Sequence, residues 1–421
     1  MAEIRHTRRT VIQSLASVAL AAPAIGLGSR TVNAAAPVQL IGYRYPASEF
    51  YAEQMKAAVP GTEVSVQLMP SDKVMELVNI NLSSQSGNLD ILHMTDALLS
   101  NAVQNKWLRP LNDLWDKYKN EFALDDIDKN IVDGLSRDGN LYVVPTEFNS
   151  LIQFYRTDLF EEKGLKPATT LDEYKKNAAA LNTGKQAGVI MLGRAGDPLM
   201  TETHYYLNNI GDGWFDQQWQ PVFNSENGVR AIEFMKEMSR FAQRGFASSA
   251  SDEAALALQQ GFAAMGNHYL TRASSMNDPA KSRFVGKIGT EVAAQGNQRI
   301  SLTGYAISAF SKQDPNLLFR IIMGAAKTES MKANVKNNVP TRVSLMSDGE
   351  LASQYPYLKA AQGAAKAGKN LPRMPYFFSV GDIVSRRVNQ VLTNEMQAKE
   401  AMDAAAKEVK GLLTSNGFYK N

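Results

Sequence analysis

From residue 38 onward, short apolar segments alternate with amphipathic ones, and this alternation restricts the fold more than any other feature of the chain. Val38-Gln39-Leu40-Ile41-Gly42 reads as a short buried strand, with Ser48 to Ala58 as the helix after it. Val64-Ser65-Val66-Gln67-Leu68 alternates with period two and reads as the next strand. Asp72 opens a helix that sets Val74, Leu77, Val78 and Leu82 on one face. Leu89-Asp90-Ile91-Leu92 is a third strand, followed by a helix from about Ala97 to Asn105. Strand and helix in strict turn belong to an α/β lobe with a mainly parallel sheet.

The same grammar resumes after Leu151. Thr170-Leu171-Asp172-Glu173 is a capping box that opens a helix to about Leu181. Gly188 to Leu192 reads as a strand, and Asn224 or Ser225 caps an amphipathic helix through Arg244. Phe262 to Met265 and Tyr305 to Ser308 are strands flanked by glycines. The last third, from Asp314, is mostly helical and ends with Met396 to Leu413. The absence of a short fixed repeat argues against a solenoid.

The N-terminus has a different character. Arg8-Arg9 precede a weakly apolar run from Ser14 to Gly28, and Val32-Asn33-Ala34-Ala35-Ala36 forms a small-residue exit. That layout is a removable export signal over residues 1–34, with cleavage expected after Ala34. The paired arginines resemble the twin-arginine type, whose cargo crosses the membrane folded. The alternative is an uncleaved N-terminal helix. Cleavage would take four arginines and one glutamate from the 45 basic and 42 acidic residues, leaving 41 of each. A mature chain of zero formal charge gives no reason to expect a nucleic-acid partner. The 387 residues that remain exceed what one hydrophobic core usually supports, so two lobes are expected.

No cysteine is present, which excludes disulfides, thiol catalysis, Cys-ligated metals and a cysteine-linked lipid anchor. Asp126, Asp128 and Asn130 imitate the start of a calcium loop, but Ile131 and Arg137 stand where Gly and Glu are needed. His93, His204 and His268 have no zinc-motif spacing. Phosphate-cradling and nucleophile-elbow motifs are absent as well, so no cofactor or metal is expected.

Five blocks, in order, resemble the extracellular solute-binding proteins of ABC importers, in particular the carbohydrate-binding family. They are Asn88 to Leu114, which holds Trp107-Leu108-Arg109-Pro110-Leu111; Leu141 to Pro167; Gly211 to Phe234; Leu258 to Tyr269; and Leu302 to Ser308. The family often has Trp where Tyr269 stands and paired glycines where Ser301 and Leu302 stand, which leaves the particular sugar open. The resemblance implies two discontinuous α/β lobes with ligand held between them. Residues 35–146 and 270–325 would form one lobe, and 147–269 and 326–421 the other. Crossings are expected near Pro145 to Leu151, Asn267 to Thr271, and between Phe310 and Lys327. It also implies a monomeric periplasmic receptor, free of the membrane, that passes a sugar, oligosaccharide or polyol to an ABC permease.

Such a ligand presents hydroxyls that both donate and accept, together with patches of C–H surface. Its site calls for carboxylates, amides, guanidinium groups and aromatic faces. Tyr43, Arg44 and Tyr45 follow the first strand, and either face the cleft or pack on their own lobe. Thr95 and Asp96 follow the third strand where the family touches ligand, with a helix N-cap as the other role for Asp96. Glu147 and Asn149 fall at the first crossing. Arg194 follows a strand and suits two adjacent hydroxyls or a surface ion pair. Asp212 and Trp214 lie in the Gly-Asp-Gly-Trp-Phe-Asp turn, where Trp214 or Phe215 stacks on ligand and the other anchors the turn. Asn267, His268 and Tyr269 end a strand, Tyr269 matching the family's stacking aromatic. Thr303, Gly304 and Tyr305 offer close backbone approach and a ring. Arg342, Phe377 and the adjacent Tyr376 complete the set from the helical third.

A secreted carbohydrate-active enzyme is the rival reading, with Asp96, Glu147 or Asp212 as an acid/base pair. A binding protein for another solute, such as a polyamine or an iron complex, is a third.

Overall fold

The protein is described by a computed structural model over residues 36–419. The export signal and its cleavage point lie outside the described residues.

Nine strands form one continuous sheet. They are β1 (Val38–Tyr43), β2 (Val64–Met69), β3 (Ile91–Thr95), β4 (Val143–Arg156), β5 (Ala187–Val189), β6 (Ala263–Tyr269), β7 (Ile288–Val292), β8 (Arg299–Ile307) and β9 (Lys369–Asn370). In space the order is β2-β1-β3-β8-β4-β6-β5, with β9 beside β8 and β7 beside β4. β1 runs parallel to β2 and β3, as expected from the helices that connect them. β8 is antiparallel to both β3 and β4.

β4 holds the architecture together. It is fourteen residues long and almost entirely buried, so it reads as a continuous apolar run instead of an alternating one. Its first half, through Ser150, pairs with β8; Leu151 to Arg156 pair with β6 on one side and β7 on the other. Pro145 lacks an N–H, and the β4–β8 register slips at Thr303/Gly304, next to that missing donor. At Gly304 a Cβ would lie 2.0 Å from the Val144 carbonyl oxygen, so only glycine lets the two strands close there.

Two hydrophobic clusters flank this sheet. The first gathers β1, β3, the first half of β4, β8 and the helices Pro315–Ala326 and Tyr357–Ala367. The second gathers the helices Leu171–Leu181, Asp197–Asn209, Glu226–Ser239, Phe377–Leu392 and Ala398–Ser415. Thr170 and Ser225 cap two of these helices, accepting from the N–H groups of Glu173 at 3.2 Å and Gly228 at 3.1 Å.

Two expected crossings move. After Tyr269 the chain touches the first core at Leu270, Ala273, Met276 and Ile288, yet β7 still returns to pair with Ile152 to Arg156, and β8, which pairs with the first half of β4, begins only at Arg299. The chain does not leave the first core between Phe310 and Lys327. Met331 to Ala365 pack with the first cluster, and residues of the second resume at Leu371, just past β9. Residues 326–365 therefore stand with the first core, not the second. The expected division of the helices after Asp314 fell at residues 325/326, whereas the two cores divide them near β9.

Candidate functional site

Tyr45, Glu147, Asn149 and Tyr269 line one cavity of about 810 Å³, together with Ser251, Thr271, Arg272, Asp278, Lys281 and Asn338. They meet because β1 ends beside β3 and β4 carries Glu147 and Asn149 on alternate positions of one face. Tyr45 donates its hydroxyl proton to Glu147 Oε1. With that proton committed, the His93 Nε2 at 3.1 Å acts as donor to the Tyr45 oxygen. His93 is thus a buried strand residue that orients Tyr45. Its ring also lies 4.9 Å from the Tyr43 ring, edge-on, and 5.2 Å from that of Tyr305. Asn149 Oδ1 accepts from the Ser150 and Thr271 N–H groups at 3.0 and 3.3 Å, so β4 is tied to the chain just beyond Tyr269.

A second group forms around Arg299. This guanidinium is 5% exposed, and its Nη1 donates to the Asp197 carboxylate and to Thr201 Oγ1, the latter at 2.8 Å. Burial opposes the charge, yet Asp197, helped by Tyr269 and Asp96, raises the pKa above the ordinary arginine value. Asp197 opens the helix Asp197–Asn209, where the helix dipole also favours a carboxylate. The Tyr269 hydroxyl lies 3.2 Å from that carboxylate and 3.1 Å from the Thr201 hydroxyl. The Phe378 ring sits 5.7 Å from the guanidinium, and Arg299 Nε has no protein partner.

Asp96 faces this second group. Thr95, not Asp96, is the N-cap of the helix Asp96–Gln104, and its side chain makes no capping bond. Burial pushes the Asp96 carboxyl up, while Arg299, the Leu302 N–H and Arg137 pull it down. Asp96 and Arg137 share a pocket of about 10 Å³, room for roughly one water, with Asn370, Phe377 and Phe378. Thr303 lies in register between Thr95 and Glu147, half-buried, on the strand that separates the two groups.

Other expected site residues have structural partners. Arg342 is fully buried and donates to the carbonyls of Phe122, Ala123 and Ala326 at 2.8–3.1 Å, which closes three chain segments around it. Trp214 is buried, donates Nε1–H to His204 Nδ1 at 3.0 Å and stands edge-on to Phe377 at 4.9 Å. Those two rings therefore anchor the turn in the second core, and Phe215 packs on Trp219. Asp212 is engaged by Ser225 and Asn227 as a turn clasp. His268 is buried between the Ser251 carbonyl, 2.8 Å from Nε2, and the Tyr269 N–H, 2.7 Å from Nδ1, which fixes the neutral ring with the proton on Nε2. Burial accordingly lowers its pKa to about 4.

Asn267 is buried, its N–H bonded to the Tyr174 hydroxyl at 3.0 Å. Gly304 meets the Val144 carbonyl, not an open cleft. Tyr305 is fully buried, with no protein partner for its hydroxyl. Arg44 is exposed and turns to the Leu68 carbonyl at 2.7 Å, and Arg194 is exposed outside both groups. Tyr376 lies near the C-terminus, its hydroxyl 3.4 Å from the Asn416 carbonyl.

Sequence reasoning missed Arg299, Asp197, Thr201 and Phe378. A signal existed for Asp197: it follows Arg194 and Gly196 at the start of a Pro-marked helix. For Arg299 no local signal existed. Among the described residues no three His, Asp or Glu side chains are grouped to hold a metal ion. No described helix is long and apolar enough to cross a membrane.

Comparison with known proteins identifies the family and the fold. The family described as bacterial extracellular solute-binding protein matches residues 41–328. A mannitol-binding protein of Pseudomonas aeruginosa is 25% identical across 96% of this chain and 98% of its own length. Among solved structures, a solute-binding protein of Agrobacterium radiobacter K84 in complex with ribitol superposes with a TM-score of 0.77. It is 24% identical and covers 89% of this chain and 98% of its own. A solute-binding protein of Agrobacterium vitis S4 with bound D-mannitol gives 0.74 at 21% identity, over 90% and 99%. The two-lobed α/β fold is common to all of them.

Proposed function

The chain belongs to the bacterial extracellular solute-binding protein family, and from that membership we propose that it captures a polyol or small sugar and hands it to an ABC import permease. The observation that carries the reading is the pairing of two polar groups where β4 meets β6 and β8, Tyr45–Glu147–Asn149 on one side and Asp197–Thr201–Arg299–Tyr269 on the other. Vicinal hydroxyls need neighbouring acceptors and donors, which a carboxylate, an amide and a guanidinium supply. The rings of Tyr269 and Phe378 offer flat surface for the carbon chain. A linear polyol is the favoured class, since a relative matched over 98% of its own length is a mannitol-binding protein.

Capture works by differential affinity. Tyr45 and Asp96 belong to the first core, and Asp197 and Phe378 to the second. A ligand bonded to both sets stabilises only the arrangement that brings them together. The protein acts outside the cytoplasmic membrane, in the periplasm, and releases its ligand chemically unchanged.

The test is calorimetry of the mature protein against D-mannitol, ribitol, sorbitol, glucose and maltose, with recovery of the ligand afterwards. Micromolar binding, about −8 kcal/mol, of a polyol recovered intact is expected. Absence of binding across the panel would defeat the solute assignment, and a converted ligand would favour the enzyme.

A further inference from the structure

A second concave surface lies away from the cleft, on the outer side of the helix Ser251–Gln259. It is a groove of about 930 Å³ between that helix and the segment from Arg240 to Ser249. That segment already covers the edge of β5, through the Val189 N–H to the Phe241 carbonyl at 3.0 Å and the Gln243 N–H to the Val189 carbonyl at 3.1 Å. The groove therefore offers side chains, not a free strand edge.

Its lining combines two features that proteins seldom leave together without a partner. Five large apolar side chains stand exposed among the described residues, and two of them, Leu256 at 50% and Phe262 at 60%, line this groove. Around them stand Lys185, Arg240 and Arg244, all exposed. None of these three has an ion pair or side-chain hydrogen bond among the described residues. Other cations of the fold do have ion-pair partners: Lys175 with Glu237, Arg272 with Asp252 and Arg387 with Glu408. The one carboxylate in the groove, Glu253, is committed to the helix N-terminus, where it accepts the Ala250 N–H at 2.9 Å and its pKa is lowered by backbone hydrogen bonds.

We propose that this groove docks an acidic segment of a partner protein, with carboxylates against Lys185, Arg240 and Arg244 and apolar side chains over Leu256 and Phe262. Charge complementarity selects the acidic partner and guides its approach. Concavity favours inserted side chains over a flat lipid surface, which is met by protruding apolar residues. This goes beyond solute capture and does not depend on which solute the cleft holds.

The probe is an amphipathic Glu/Leu helical peptide carrying a fluorophore, compared with a Glu/Gln peptide of the same charge, each titrated with the full exported protein. The Glu/Leu peptide is expected to bind, and the Glu/Gln peptide to bind at least about tenfold more weakly. Arg240→Glu/Arg244→Glu is expected to weaken the Glu/Leu peptide at least about tenfold, and Phe262→Ser also to weaken it. Both arginines and Phe262 are exposed, so circular dichroism should match the parent protein. Failure of the Glu/Leu peptide to bind overturns the proposal, as does equal binding of the two peptides, which would reveal simple counter-ion attraction. Flotation with phosphatidylglycerol vesicles that depends on Arg240 and Arg244 would assign the surface to a membrane and also overturn it. A protein that binds the peptide but no polyol would instead refute the solute assignment and leave the groove standing.

Discussion

Glu202 provides a quantitative test of how the second core is built. It lies one turn beyond Asp197 in the helix Asp197–Asn209, is 2% exposed, and accepts the Leu192 N–H at 3.1 Å. Burial pushes its carboxyl from the ordinary 4.5 up to about 7, with the Leu192 N–H pulling the other way. Between those two pH values the folded state holds a proton that the unfolded chain has lost. Stability from this group is therefore complete below about pH 4.5 and is lost as pH rises toward 7. The difference between 4.5 and about 7, at 1.36 kcal/mol per pKa unit, amounts to about 3 kcal/mol. Glu202→Gln keeps an acceptor for Leu192 and cannot ionise. Its stability relative to the parent protein should thus improve by about 3 kcal/mol between roughly pH 4 and pH 8. Burial also holds His204 and His268 neutral, with pKa values of about 3 and about 4. These two act in the opposite sense, their contribution falling as pH drops below the unfolded histidine value, but they are common to both proteins and cancel in the difference. Urea unfolding followed by tryptophan fluorescence across that pH range measures it. A difference between variant and parent that does not change with pH would refute the reasoning.

Four further outcomes are expected. Tyr269→Ala and Glu147→Ala should each weaken polyol binding by at least about 1 kcal/mol without unfolding the protein, as read by calorimetry and circular dichroism. Arg299→Met should abolish the response to polyol and, because half of the Asp197 side chain is in solvent, cost only about 1–2 kcal/mol of stability in a urea melt. Arg342→Met should cost about 2 kcal/mol or more, since one buried carbonyl and two part-buried ones lose their donor, while the folded fraction keeps its polyol affinity. Asp212→Ala should leave polyol affinity unchanged within calorimetric error, because that carboxylate clasps Ser225 and Asn227.

The strands and helices of the first lobe were legible because each is a local pattern. β1, β2 and the helices after them follow from period and caps, and the structure shifts their ends by two residues or fewer. The Thr170–Glu173 capping box forms as read. What was illegible depended on pairing between distant segments. β7 was not anticipated, and its return to β4 keeps the chain beside the second half of that strand some twenty residues beyond Tyr269. The helices after Asp314 look uniform in sequence, yet they divide between two cores at β9, a two-residue strand too short to announce itself. Aromatic residues were legible only as aromatic. Tyr45 lines the cavity, while Trp214, equally suited to stacking, is consumed by His204 and Phe377.

The two arginines show what separates a scaffold from a site. Arg342 and Arg299 are both buried guanidinium groups, and in sequence each is one cation amid polar and aliphatic neighbours. Arg342 spends its Nε, Nη1 and Nη2 on backbone carbonyls of loops that have no other reason to meet, so its charge is fully solvated by the fold. Arg299 bonds through Nη1 alone to a carboxylate and a hydroxyl on one helix N-terminus, and leaves Nε unpartnered. A buried donor without a partner costs free energy that a ligand hydroxyl can recover. The carboxylate of Asp197, nearly half exposed, is likewise open to a second donor. In the proposed capture, Arg299 is the residue whose hydrogen bonds are incomplete in the protein by itself, and that incompleteness is a property of the assembled strand and helix, invisible at position 299 of the chain.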